Sequence, residues 1–270
     1  MSRSAAPDDE AVDPQQIVCF DAVYQELRRE KRILREEYEA FSQFRRRVHS
    51  LDCTDEASMC VEPTVLDRAI TDDSVPADSP IREAYAETVR SVSHYEGEYG
   101  DTYWESLAAE FGSEVAVALQ QSETLTPVLK RRVCDAAKTA QSRRKQLIAT
   151  IDAEHAAIDE AAATLRAIDE ERVAIDSRPL YDCSPQELRR LRDDLTQLQE
   201  RCQTLAVRRQ AGDLEPETVP VRSASPRSVQ EYLYQSLSSS YPVLSTLARI
   251  SDRVERTKRS VEHMRSVVSG

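Results

Sequence analysis

A chain of 270 residues, 40% hydrophobic and 31% charged, has the composition of a soluble protein with a lean core and not that of a disordered one. Five glycines are too few for the turns of a sheet protein, and the abundance of Ala, Leu, Arg, Gln and Glu favours helix, so the expected class is all-α. A net charge of −12 disfavours simple electrostatic binding to nucleic acid, and no apolar run approaches the roughly 18 residues that cross a membrane.

In chain order, residues 1–12 read as a disordered acidic tail without an apolar signal region. A recurring device then marks helix starts: a capping residue followed by proline, at Asp13-Pro14, Ser79-Pro80, Thr126-Pro127, Ser184-Pro185 and Ser225-Pro226. Gln16 and Glu187 complete capping boxes with Asp13 and Ser184. The first long helix, 13–51, carries a seam of Ile17, Phe20, Tyr24, Leu27, Leu34, Tyr38, Phe41 and Val48, with Lys31 and Arg45 in two seam positions.

Residues 52–125 read as an insert of short helices. One runs from Pro80 to Val92 with Ile81, Tyr85, Val89 and Val92 inward. Gly97 and Gly100 permit the positive φ of a turn. Thr102 and Glu105 then form a capping box for a helix with Tyr103 or Trp104, Leu107, Ala108 and Phe111 on one face, and Gly112 stops it.

A long helical hairpin spans 126–211. Its first arm has Leu147, Ile151, Ile158, Leu165, Ile168 and Ile175 on one stripe, with Ala137 and Ala140 upstream; after the turn "SRPLYD", its second has Leu188, Leu191, Leu195, Leu198, Cys202 and Leu205. A linker at 212–225 precedes a C-terminal helix, 226–269, with Val243, Leu247, Ile250, Val254, Val261, Met264 and Val268 aligned. It must break near 238–242, because Pro242 lacks the amide of a continuous helix. A period near 3.5 implies helices packed at shallow angles, so residues 13–270 are expected to form one elongated, antiparallel, coiled-coil-like helical bundle.

Residues 94–112 stand apart. They hold three of the five glycines, the only tryptophan and four other aromatics. His94, Tyr95, Glu98, Tyr99, Asp101, Tyr103 and Trp104 form the candidate interaction constellation, in which aromatic faces and carboxylates suit a peptide or a small cationic ligand. The competing reading, which the sequence favours, is a structural cap: the aromatics dock a short helix, while His94 and the tyrosine hydroxyls satisfy backbone groups at helix ends. A metal site is not expected. Asp152 and His155 form an isolated pair with no partner motif, the six cysteines lack C-x-x-C spacing, and no nucleophile or phosphate-loop motif occurs. No cofactor and no catalytic residue is expected. Arginine clusters at 28–32, 45–47, 130–132 and 143–145 read as solvated, ion-paired helix faces.

Val92, His94, Tyr95, Glu98 and Tyr99, then Leu107, Ala108, Ala109, Glu110, Phe111 and Gly112, then Leu125, Thr126 and Pro127 resemble an uncharacterised family of helical proteins from haloarchaea, best over residues 80–176. The excess of acid with 31 Arg against 5 Lys also resembles proteins adapted to concentrated salt. The resemblance implies a cytoplasmic, halophilic setting and no assigned activity. The expectation is a non-enzymatic structural or protein-interaction module with a protein partner or self-association. The alternatives are a nucleic-acid-associated regulator using the arginine clusters and, more remotely, a helical enzyme with a site around His94.

Overall fold

The computed structural model describes residues 18–53, 79–122, 124–213 and 229–269, and every regular element among them is helical. In order these are α1 (Asp21–Ser50), α2 (Pro80–Thr88), α3 (Tyr95–Glu98), α4 (Tyr103–Phe111), α5 (Ser113–Gln121), α6 (Pro127–Asp176), a single 3-10 turn (Leu180–Asp182), α7 (Pro185–Asp213), α8 (Val229–Leu233) and α9 (Pro242–Ser269). They pack as an all-α helical bundle in which the chain divides into two compact units. Of the described residues, the first unit takes those up to Leu27 and from Ala153 onward, and the second takes Arg28 to Asp152. The helices α1 and α6 each contribute to both.

The first unit rests on the aligned seams. Ile158, Leu165 and Ile168 of α6, Leu188, Leu191, Leu195, Leu198, Cys202 and Leu205 of α7, and Val243, Leu247, Ile250, Val254 and Val261 of α9 are all buried. Each fully buried aliphatic side chain contributes about 1.5–3 kcal/mol relative to its exposed state, so a seam kept over several turns outweighs the modest propensity of any one helix. The antiparallel run of α7 against α9 is fixed at its edges, where Arg192 pairs with Glu262 at 3.3 Å and Gln199 binds Glu255. Ser184 caps α7 as expected: its Oγ accepts from the Glu187 amide, and the Glu187 carboxylate accepts from the Ser184 amide at 2.7 Å. The stripe on α9 ends early, since Val268 is exposed. Between α8 and α9 the helix is broken over residues 234–241, and Pro242 opens α9 instead of interrupting a longer helix.

In the second unit, α2 to α5 pack with α1 and the first half of α6 around Phe41, Phe44, Val48, Tyr85, Leu107 and Phe111. Val133, Ala137 and Ala140 of α6 are fully buried there and belong to the same core. Within this unit α1 and α6 run antiparallel. Lys31 pairs with Asp152, and Lys130 Nζ donates to the Leu51 carbonyl at 2.6 Å.

Several local expectations change. Val18 to Phe20 are not helical, so α1 starts at Asp21 and not at Pro14; Asp13, Pro14, Gln16 and Ile17 lie outside the described residues, as does Ser225-Pro226. Ser79 precedes α2 without a side-chain capping bond, whereas Thr126 Oγ1 accepts from the Leu129 amide at 3.2 Å. Gly97 lies inside α3 with ordinary φ, and the turn is made by Gly100 alone, at φ +56°. Gly112, at φ +88°, both ends α4 and opens α5, a conformation that suits glycine because a Cβ there is strained.

Candidate functional site

Glu37 stands on the inner face of α1, three residues after Leu34 and four before Phe41, and only 5% of it is exposed. A carboxylate there must be paired, because burying an unpaired charge costs far more than the fold can supply. Three side chains meet it. Arg144 Nε donates to Oε2 at 2.9 Å, and Tyr99 Oη donates to Oε1 at 2.6 Å. His94 Nε2 lies 3.3 Å from the same Oε1.

Arg144 uses its two remaining nitrogens on Glu110 of α4, at 2.6 and 2.5 Å, and its guanidinium carbon sits 4.8 Å from the centre of the Phe41 ring. This two-pronged contact with a buried carboxylate is what the planar guanidinium does and an ammonium does not. The other ring nitrogen of His94, Nδ1, faces Glu36 Oε2 at 3.3 Å. With a carboxylate on both nitrogens, the imidazolium that donates from each is the favoured form.

The electrostatics follow. Burial raises the Glu37 pKa, but the hydrogen bond from His94, the Arg144 charge and the bonds from Tyr99 and Arg144 outweigh it and hold Glu37 at about 2. The His94 pKa is raised, first by its bond to Glu37 and against the opposing effect of burial. The acidity of Arg144 is weakened further still, since its two glutamates more than offset its desolvation.

A second set of bonds runs beside this one. Ser106 of α4 is fully buried and lies 2.8 Å from Tyr85 Oη; its hydroxyl also meets Tyr95 Oη, which donates to Asp101 Oδ1 at 2.9 Å. Each hydroxyl has a single proton, so one consistent order is Tyr85 to Ser106 to Tyr95 to Asp101. Arg90 closes the loop by donating to the Asp101 carbonyl at 3.0 Å. Tyr103 packs edge-on to Tyr85 at 5.6 Å and to Trp104 at 4.8 Å, and burial pushes its phenol up to about 12. Glu98 is the outer member, paired with Arg29 of α1 in solvent.

The candidate residues are therefore gathered. Where helix-end backbone groups are the expected partners, the structure adds side-chain acceptors: His94 and Tyr99 meet Glu37, and Tyr95 meets Ser106 and Asp101. The sequence reading also missed Glu36, Glu37, Glu110, Ser106 and Arg144. The charge pattern around Arg144 suggests a solvated face, yet Arg144 lies in the seam Ala137, Ala140, Arg144, Leu147, Ile151, whose steps of three and four give its position away. Asp152 and His155, weighed as metal ligands, go to different partners: Asp152 to Lys31, and His155 to Asp159 at 3.2 Å. The first unit has its own buried pair, in which Arg209 contacts Glu154 at 2.8 and 3.2 Å while Tyr234 Oη donates to Glu154 at 2.7 Å.

The arrangement holds α1, α3, α4 and α6 together by charge, with each of these carboxylates already engaged by the protein's own donors. No curated protein and no solved structure is similar to this chain. The family model of a domain of unknown function, DUF7260, matches residues 19–258, nearly the whole chain, and the chain belongs to that family.

Proposed function

We propose that the chain is a non-enzymatic helical module that holds a protein partner, with a second copy of itself as the simplest case. The observation that carries this reading lies in the first unit. The 3-10 turn Leu180–Asp182 packs against α9, and Tyr181 is 74% exposed in a unit where Val267, near the end of α9, is 61% exposed. An aromatic side chain left in water on a turn between two long helices suits the anchor of an interface. By contrast, the polar groups around His94 are engaged within the fold, which supports packing as their role. A cytoplasmic, salt-adapted setting belongs to the same proposal; the unbridged state of Cys19, Cys53, Cys134, Cys183 and Cys202 and the arginine-for-lysine bias support it.

The test is a photo-crosslinking phenylalanine analogue at position 181, expressed in the native cell, with the same analogue at the exposed Gln203, far along α7 from the turn, as control. The expected result is a protein adduct at 181 that is absent at 203, with light scattering deciding whether the captured chain is a second copy. Equal capture at both positions, or none at 181, would refute the reading.

A further inference from the structure

The charge of this chain is distributed unevenly. Residues 54–78 hold seven Asp and Glu against one Arg, whereas α6 from Pro127 to Ala149 holds seven Lys and Arg against a single acid, Asp135. Of those seven, Arg144 is buried and Lys130 is bound to the Leu51 carbonyl. Arg131, Arg132, Lys138, Arg143 and Lys145 remain exposed, and three of them, Arg131, Lys138 and Lys145, are spaced seven residues apart. The next residue at that spacing is Asp152, whose partner is Lys31 of α1. The three cations therefore continue, along about 21 Å of helix, the edge of α6 that borders α1.

The neighbouring edge of α1 matches it. Arg35 and Arg46 are exposed there, and the antiparallel register set by Lys31 with Asp152 and Lys130 with Leu51 brings Arg35 level with Leu147, in the turn after Lys145, and Arg46 level with the interval between Arg131 and Lys138. Among the described residues, none of the five cations in these two rows pairs with a carboxylate; Arg46 Nε reaches only its own helix, at the Ser42 carbonyl. Glu39 is the acid that interrupts the α1 row.

The geometry points to a docking strip for the phosphate backbone of a nucleic acid along the α1 and α6 edges of the second unit. Two observations favour a polyphosphate over an acidic protein. The cations run in line along two helices, so several can neutralise successive phosphates of one strand. Among the described residues of this unit the exposed large hydrophobics are Val117 and Val128, and only Val128, one turn before Arg131, flanks a row, so the strip lacks the central apolar anchor of a protein interface. The overall charge of −12 does not contradict this, because over this distance in salt the local field decides, and α6 from Pro127 to Ala149 is itself strongly basic.

The experiment is fluorescence anisotropy of the full chain with a labelled single-stranded DNA oligonucleotide and with its duplex, over a KCl series in which circular dichroism shows the helices retained. Affinity should fall linearly on a log-log plot, with a slope of about −0.7 per phosphate for the single strand or −0.9 for the duplex. The triple variant R131Q/K138Q/K145Q should weaken binding by about tenfold or more and flatten the slope by about two. A control triple of exposed cations in the first unit, R189Q/R190Q/R256Q, removes the same charge and should leave both quantities nearly unchanged. A single Lys138→Glu must act in the same direction, which keeps the test open if the triple misfolds. Absence of binding at the lowest workable KCl, equal losses in the two triples, or displacement of the oligonucleotide by polyglutamate as readily as by unlabelled DNA would each overturn the proposal.

Discussion

Replacing Arg144 by Met tests whether the charge cluster holds the second unit together. The substitution removes one bond to Glu37, two to Glu110 and the guanidinium contact with the Phe41 ring. It leaves two glutamates, each 5% exposed, without their cation. Removing one partner of a buried pair costs about 3–5 kcal/mol. A second route to the magnitude starts from Glu37, which titrates at about 2 where an ordinary glutamate titrates at 4.5. That difference corresponds to about 3 kcal/mol of stability at neutral pH, shared among His94, Arg144 and Tyr99. Adding the loss at Glu110, we expect a deficit of about 3–4 kcal/mol, seen as a melting temperature lower by about 10 °C. Thermal melting by circular dichroism measures it. The pH dependence identifies the cause. In the wild type, the depressed Glu37 contributes stability above the ordinary carboxylate range and loses it as pH falls towards 2. In the variant, Glu37 has lost one of the donors that depress it and can take up a proton at higher pH, so the deficit should narrow as pH is lowered through that range. A deficit that is small, or that keeps its size from neutral to acid pH, would show that Arg144 contributes packing and not charge.

Phe111→Ala should cost about 3–5 kcal/mol by chemical denaturation, because the ring touches Phe41, Phe44 and Tyr85; the half-buried Trp104 should cost less when cut to Ala, and equal costs would contradict this packing. The stabilisation from the raised pKa of His94 is fully present below its unfolded value near 6.5 and is lost as pH rises through its native value. Wild type should therefore outlast His94→Gln most in mild acid, with the gap closing towards alkaline pH; a gap independent of pH removes the imidazolium from the account. Leu195→Asp puts a charge at a fully buried seam position of α7 and should cost the first unit its cooperative melting, so a variant with unchanged melting would show the seam to be open.

The helices themselves were legible because their signals are local and periodic. Leu188 to Leu205 keep steps of three and four without interruption, and each of those positions is buried. The capping boxes at Ser184 and Thr102 also formed as read, since both partners lie within one turn. The charged cluster was harder to read because its meaning is non-local. Glu37 and Arg144 lie 107 residues apart, and only packing shows that the two off-pattern charges answer one another. Each was visible alone as a charge in an apolar register, Glu37 beside Leu34 and Phe41, Arg144 between Ala140 and Leu147. The error was to read the run Arg143 to Lys145 as one face, when successive residues on a helix point about 100° apart. The exit of the chain before α1 was misplaced for a related reason: Pro14 is a permissive start signal, but Val18 and Phe20 are both buried outside any helix.

Cys202 occupies a leucine position in the α7 seam and is 3% exposed. Burial also pushes its thiol pKa up, so both access and thiolate formation are denied while the seam is closed. The chain thus carries a built-in clock for the opening of its first unit. Under a maleimide pulse, the exposed Cys19 should be labelled at once, whereas modification of Cys202 should keep time with the openings of α7 from its neighbours. Mass spectrometry of the two peptides then yields an opening rate from the unaltered protein, with no probe introduced into the core.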